Sequence, residues 1–89
     1  MVESLEEENP GYHLLKIPKG EFGEFSKIIE EFHEAQDAFN QECTVMTLVE
    51  LSDLLGAIEA YASKFNITIT DLQRMSQITR RAFESGKRS

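Results

Sequence analysis

Four carboxylates in two equally spaced pairs carry the chemistry this sequence could do. Glu31 and Glu34 stand three residues apart in "KIIEEFHEAQDAF", and Glu50 and Asp53 repeat that spacing in "LVELSDLLGAI". Residues three apart on a helix are neighbours, so each pair can converge on one point. The second pair lies in a segment that is otherwise almost wholly apolar. Burying an ionised carboxylate without a partner costs several kcal/mol, which makes a neutralising cation the natural companion of such a pair. An all-oxygen donor set suits Mg²⁺, with Mn²⁺ as the alternative, because these hard cations keep several waters and bridge to phosphate oxygens. The implied substrate carries phosphates. Plainer readings stand beside this one: a lone ExxE is ordinarily a solvated helix face, and Thr47 with Glu50 three residues later has the form of a capping box.

The elements that must position these groups follow from periodicity. Phe22, Phe25, Ile28, Ile29, Phe32, Gln36 and Phe39 recur at three- and four-residue steps, which predicts a helix from about Glu21 to Asn40. The polar "NQECT" interrupts it, and a second helix is expected over about 45–65, with Asn66 in the turn that ends it. A third is expected over about 70–84, opened by a capping box of Thr70 and Gln73 and stopped by Ser85-Gly86. With no strand signal the fold class is all-α. Residues 1–19 hold both prolines, the acidic run from Glu3 to Glu8 and the piece "GYHLLKIPKG", and read as a tail and extended arm preceding a helical domain over 20–86.

Side-chain directions on these helices bring the pairs together. On the second helix Ser52, Glu59 and Ser63 form the solvated stripe, and Leu51, Leu54, Ile58, Ala62 and Phe65 mark the core side. Asp53 lies about 100° and Glu50 about 160° from the solvated stripe, so neither is expected on the water side. Around Asp53, Val49, Gly56, Ala57 and Ala60 are small or apolar and would admit a close neighbour. On the first helix Glu31 and Glu34 lie about 100° and 160° to one side of the apolar stripe. Antiparallel packing of the two helices, favoured by their short connection, then sets four carboxylates face to face. Glu30 is expected in solvent, and Asp37, one turn beyond Glu34, is a lesser candidate for the same cluster. His33 points away from it, and His13 in the arm shows no partner.

Composition excludes some functions. A net charge of −7, from 16 acidic and 9 basic residues, opposes broad binding to nucleic acid. Arg74, Arg80, Arg81, Lys87 and Arg88 nevertheless gather near the end of the sequence and can make local positive potential there. A single Cys43 excludes an internal disulfide framework and fits a reducing cytoplasm. The start "MVESLEEENP" lacks the basic and apolar character of a secretory signal, and no apolar run is long enough for a membrane span. Eighty-nine residues bury little apolar surface alone, so a partner subunit is expected.

Glu31 and Glu34, a gap of fifteen residues, then Glu50 and Asp53 resemble the ExxE, spacer, ExxD pattern of the all-α nucleoside triphosphate pyrophosphohydrolases, the MazG-like and phosphoribosyl-ATP pyrophosphohydrolase-like superfamily. "KIIEEFHEA" and "ELSDLLGAI" are similar to the segments flanking that pattern, and the resemblance spans about residues 20–84. It implies a Mg²⁺-dependent enzyme cleaving a ribo- or deoxynucleoside triphosphate between the α and β phosphates, giving a monophosphate and pyrophosphate. Glu31, Glu34, Glu50 and Asp53 would be the metal ligands, one of them also orienting the attacking water. Lys27 would contact a phosphate or pair with Glu31, and Arg80 or Arg81 would meet phosphate or remain solvated. Family cores use four-helix packing, so a three-helix chain should complete its bundle as a homodimer or homotetramer, with the base pocket built in part from Tyr61, Phe65 or the Tyr12–Lys19 arm. Two other classes stay open: a catalytically silent helical interaction module, and a regulator that binds a nucleotide or alarmone.

Overall fold

The computed structural model describes residues 12–86; the acidic run Glu3–Glu8, Pro10, Lys87 and Arg88 lie outside them. The fold is all-α: α1 spans Phe25–Asn40, α2 Thr44–Ser63 and α3 Ile69–Glu84, with no strand among the described residues. α1 begins four residues later than periodicity predicts. Gly23 takes φ +90° and closes a turn in which the Glu24 N–H donates to the Glu21 carbonyl, so the chain enters the helix only at Phe25.

α1 and α2 form an antiparallel hairpin joined by Gln41–Cys43. Glu42 sits at φ 60°, and the Cys43 N–H donates back to the Ala38 carbonyl, which closes α1 in the manner of a Schellman turn. Asn66 does the same for α2, at φ 60° with the Ile67 N–H bonded to the Ala62 carbonyl, as its position in the sequence suggests. Thr47 is not the cap of α2. It lies inside the helix with its hydroxyl donating to the Cys43 carbonyl at 2.8 Å, so a capping box does not account for Glu50. The capping box of α3 is one register earlier than expected: Thr68 and Asp71, rather than Thr70 and Gln73, exchange bonds of 3.1 and 2.9 Å. A carboxylate accepts the exposed N–H more strongly than a carboxamide, which favours the register that uses Asp71.

The two hairpin helices pack against each other along their length, and α3 makes no comparable contact with either. The buried apolar residues between them are all alanines, Ala35, Ala38, Ala57 and Ala62, whose small side chains allow close approach. Large apolar side chains instead face outward, among them Phe39 (68 % exposed), Val45 (70 %) and Leu48 (60 %). Leu51 and Phe65, expected in the core, are exposed for the same reason, and Gly56 faces open space. Phe25, Ile28, Ile58, Tyr61, Phe65, Leu72 and Met75 line an open apolar groove of roughly 520 Å³ where α3 leaves the hairpin. No helix among the described residues is long and apolar enough to cross a membrane.

A candidate four-carboxylate metal centre

The hairpin places Glu31 and Glu34 of α1 beside Glu50 and Asp53 of α2. Glu31 and Glu50 are only 6 % and 5 % exposed, in a chain whose large apolar residues are mostly open to solvent. One oxygen of each, Glu31 Oε1 and Glu50 Oε1, is buried with no hydrogen-bond partner among the described residues. Buried carboxylate oxygens are ordinarily paired, and leaving one unpaired is destabilising. Donor atoms of Glu31, Glu50 and Asp53 lie within 4.8 Å of one another, as do those of Glu30, Glu31 and Glu34. Ligands of an octahedral cation with bonds of about 2.1 Å stand about 3 Å apart when adjacent and about 4.2 Å apart when opposite. The donor set, its separations and the two orphaned oxygens therefore fit a hard divalent cation.

The electrostatics record the crowding. Burial, then the hydrogen bond to Glu50, then the charges of Glu31, Glu50 and Glu30 push the Glu34 carboxyl up to about 8. Burial and a hydrogen bond to Glu50 likewise drive the Tyr12 phenol well above its ordinary value. For Glu30 burial acts upward, but the Gly20 N–H at 2.7 Å and the Lys27 ammonium at 3.1 Å outweigh it and hold the carboxyl below its usual range. A Cβ on Gly20 would stand 2.3 Å from the Ser26 carbonyl oxygen, so only glycine lets that N–H approach Glu30. The expectation that Glu30 is solvated is thus corrected: it is 3 % exposed, because a backbone donor outside the helix receives it.

Lys27 takes the ion-pairing role. Its Nζ stands 3.1 Å from Glu30 and 3.2 Å from Glu31, and although burial lowers its affinity for a proton, those two hydrogen bonds raise it on balance. Lys27→Gln leaves both carboxylates without their cation and should destabilise the protein by about 1–3 kcal/mol in urea unfolding. Lys64→Gln, which removes an exposed pair with Glu24, should cost no more than about 1 kcal/mol.

Asp53 is exposed, contrary to the expected dry setting, since no described residue covers that sector of α2. Arg80 and Arg81 are exposed on α3, with Arg80 paired to Glu84 at 2.9 Å, and the chain does not bring them to the carboxylates.

His13, read as partnerless, is in fact held inside the cluster. Its Nδ1 lies 2.8 Å from Asp37 Oδ2, and its Nε2 lies 3.5 Å from Glu50 Oε2 and 3.9 Å from Glu34 Oε1. Asp37 also receives the Leu14 N–H at 3.0 Å, and Gln41 Nε2 donates to the Tyr12 carbonyl at 3.0 Å. Asp37 thus anchors the arm, and no local periodicity could reveal a contact spanning 24 residues. No family model, curated protein or solved structure matches this chain.

Proposed function

We propose that this protein is a Mg²⁺-dependent nucleotide pyrophosphohydrolase of the MazG-like type, cleaving a ribo- or deoxynucleoside triphosphate between the α and β phosphates. The observation that supports this reading most is that Glu31 and Glu50, which come together with Asp53 on one side and each with Glu34 on the other, both keep a buried oxygen without a partner among the described residues. Bound Mg²⁺, or Mn²⁺ in its place, supplies neutralisation of phosphate charge and a more acidic water. Glu31, Glu34, Glu50 and Asp53 hold it, and one of these carboxylates orients the water that attacks phosphorus. Lys27 fixes Glu31 and Glu30 in place rather than binding phosphate, since its ammonium is committed to them. The exposed side of the cluster at Asp53 admits the phosphates, while Tyr61 and Phe65, in the apolar groove, offer ring faces on which a base can stack.

The apolar surfaces left open support the homodimer or homotetramer as the active form, in which a second copy covers α2 and α3. Arg80 or Arg81 would then reach phosphate from a neighbouring subunit. Sedimentation equilibrium should return a multiple of 10.2 kDa at micromolar concentration; a stable monomer would contradict the assembly. The function itself is tested by incubating the protein with a panel of ribo- and deoxynucleoside triphosphates, with Mg²⁺ and with chelator. Turnover of at least one triphosphate that stops on chelation is expected. No turnover with any triphosphate and any divalent metal would favour a silent interaction module.

A further inference from the structure

The arm and Asp37 form an arrangement that the four-carboxylate reading does not use. The His13 side chain is only 9 % exposed, although it lies on a segment outside all three helices. Four hydrogen bonds hold that segment: Tyr12 Oη to Glu50 Oε2, His13 Nδ1 to Asp37, the Leu14 N–H to Asp37, and Gln41 Nε2 to the Tyr12 carbonyl. Asp37 Oδ2 accepts from the Leu14 N–H, so it is the acceptor towards the imidazole too, and His13 donates through Nδ1. With Nδ1 as the donor, Nε2 is the ring atom turned to Glu34 and Glu50 and the one open to a cation. Nε2 makes no hydrogen bond there, since 3.5 and 3.9 Å are too long, yet both spacings suit two ligands of one cation. A carboxylate on the far ring nitrogen is the usual companion of a metal-bound histidine, because it fixes the tautomer and strengthens the donor. Glu50 has one oxygen on this side and a second, buried oxygen with no partner among the described residues, so it can bridge two positions.

We propose that His13 Nε2, Glu34 and Glu50 form a second divalent-cation position, oriented by Asp37, whose mixed nitrogen and oxygen donors favour a transition metal such as Mn²⁺ or Co²⁺ over Mg²⁺. Imidazole is a poor match for Mg²⁺ and a good one for later first-row ions, so the two positions differ in metal preference. This inference rests on the reading that the carboxylates hold a divalent cation, and goes beyond it by bringing the arm into the metal site.

Electron spin-echo spectroscopy of the full chain titrated with Mn²⁺ tests it without any substitution. A ¹⁴N coupling from one bound imidazole is expected once the second equivalent is added. The sequence holds only two histidines, so His33→Gln should keep the coupling and His13→Gln should lose it. Asp37→Asn should weaken Mn²⁺ at that position by about 10- to 100-fold, with the helical circular dichroism unchanged. Bound Mn²⁺ with no nitrogen coupling, or a coupling that survives in His13→Gln, would overturn the second position and leave the carboxylate site standing. Absence of any bound Mn²⁺ would overturn both.

Discussion

Glu50→Gln should lower Mg²⁺-dependent turnover by roughly a thousandfold while the protein stays folded. Glutamine keeps the shape and one carbonyl oxygen, which can still accept the Tyr12 hydroxyl. It removes the negative charge at the centre of the cluster, where Glu50, alone among the described residues, closes on Glu31 and Asp53 on one side and on Glu34 and His13 on the other. In the metal-free protein the same change relieves repulsion among buried carboxylates, so the thermal midpoint should rise or hold. The pairing of lost activity with undiminished stability separates a functional acid from a structural one. Asp53→Asn should lose activity in the same way with a smaller effect on stability, because Asp53 is exposed. Unfolding of both variants would instead assign the acids a structural role. Turnover and thermal melts with and without Mg²⁺ read both quantities.

The metal-free protein should lose stability as pH rises from about 5 to about 8, and a divalent cation should restore it. Glu34 sets the direction, because burial and the neighbouring carboxylates push its folded-state carboxyl up to about 8 from the ordinary 4.5. Below 4.5 the group is protonated in both states and imposes no penalty. Between 4.5 and 8 the unfolded chain ionises while the folded chain keeps its proton, so stability falls with each unit of pH until both are ionised. Glu30 works in the opposite sense, since its carboxyl is held low. Its contribution is present above the ordinary glutamate range and is lost on acidification, which puts the optimum for the metal-free protein in mildly acidic solution. A cation stabilises the ionised cluster and must displace the Glu34 proton to bind. Mg²⁺ or Mn²⁺ should therefore raise the thermal midpoint far more at pH 8 than at pH 5.5, and binding at pH 7 should release close to one proton. Thermal melts at the two pH values and calorimetry in two buffers of different ionisation enthalpy check this. A midpoint that the cation leaves unmoved at pH 8 would contradict it.

Much of the hairpin is legible in the chain because its signals are local. The three- and four-residue steps of Phe25, Ile28, Phe32, Gln36 and Phe39 mark α1, and the glycine and asparagine turn residues mark where helices stop. The spacing of Glu31 and Glu34 against Glu50 and Asp53 needs only helix geometry and an antiparallel partner to bring the carboxylates within reach. What escapes is carried by contacts that have no period. Glu30 is buried by a backbone N–H ten residues earlier, and Asp37 by a histidine on an arm without secondary structure. The outward face of α2 misleads for another reason: Leu51 and Leu55 have core-like spacing, yet none of the described residues lies over them. An apolar stripe indicates that a face will be covered and not which molecule covers it.

³¹P NMR of the products formed during turnover with Mg²⁺ identifies which anhydride bond the protein cuts. Cleavage between the α and β phosphates predicts a nucleoside monophosphate and pyrophosphate appearing together in equal amounts from the first time point. Orthophosphate and a nucleoside diphosphate as the initial products would contradict it.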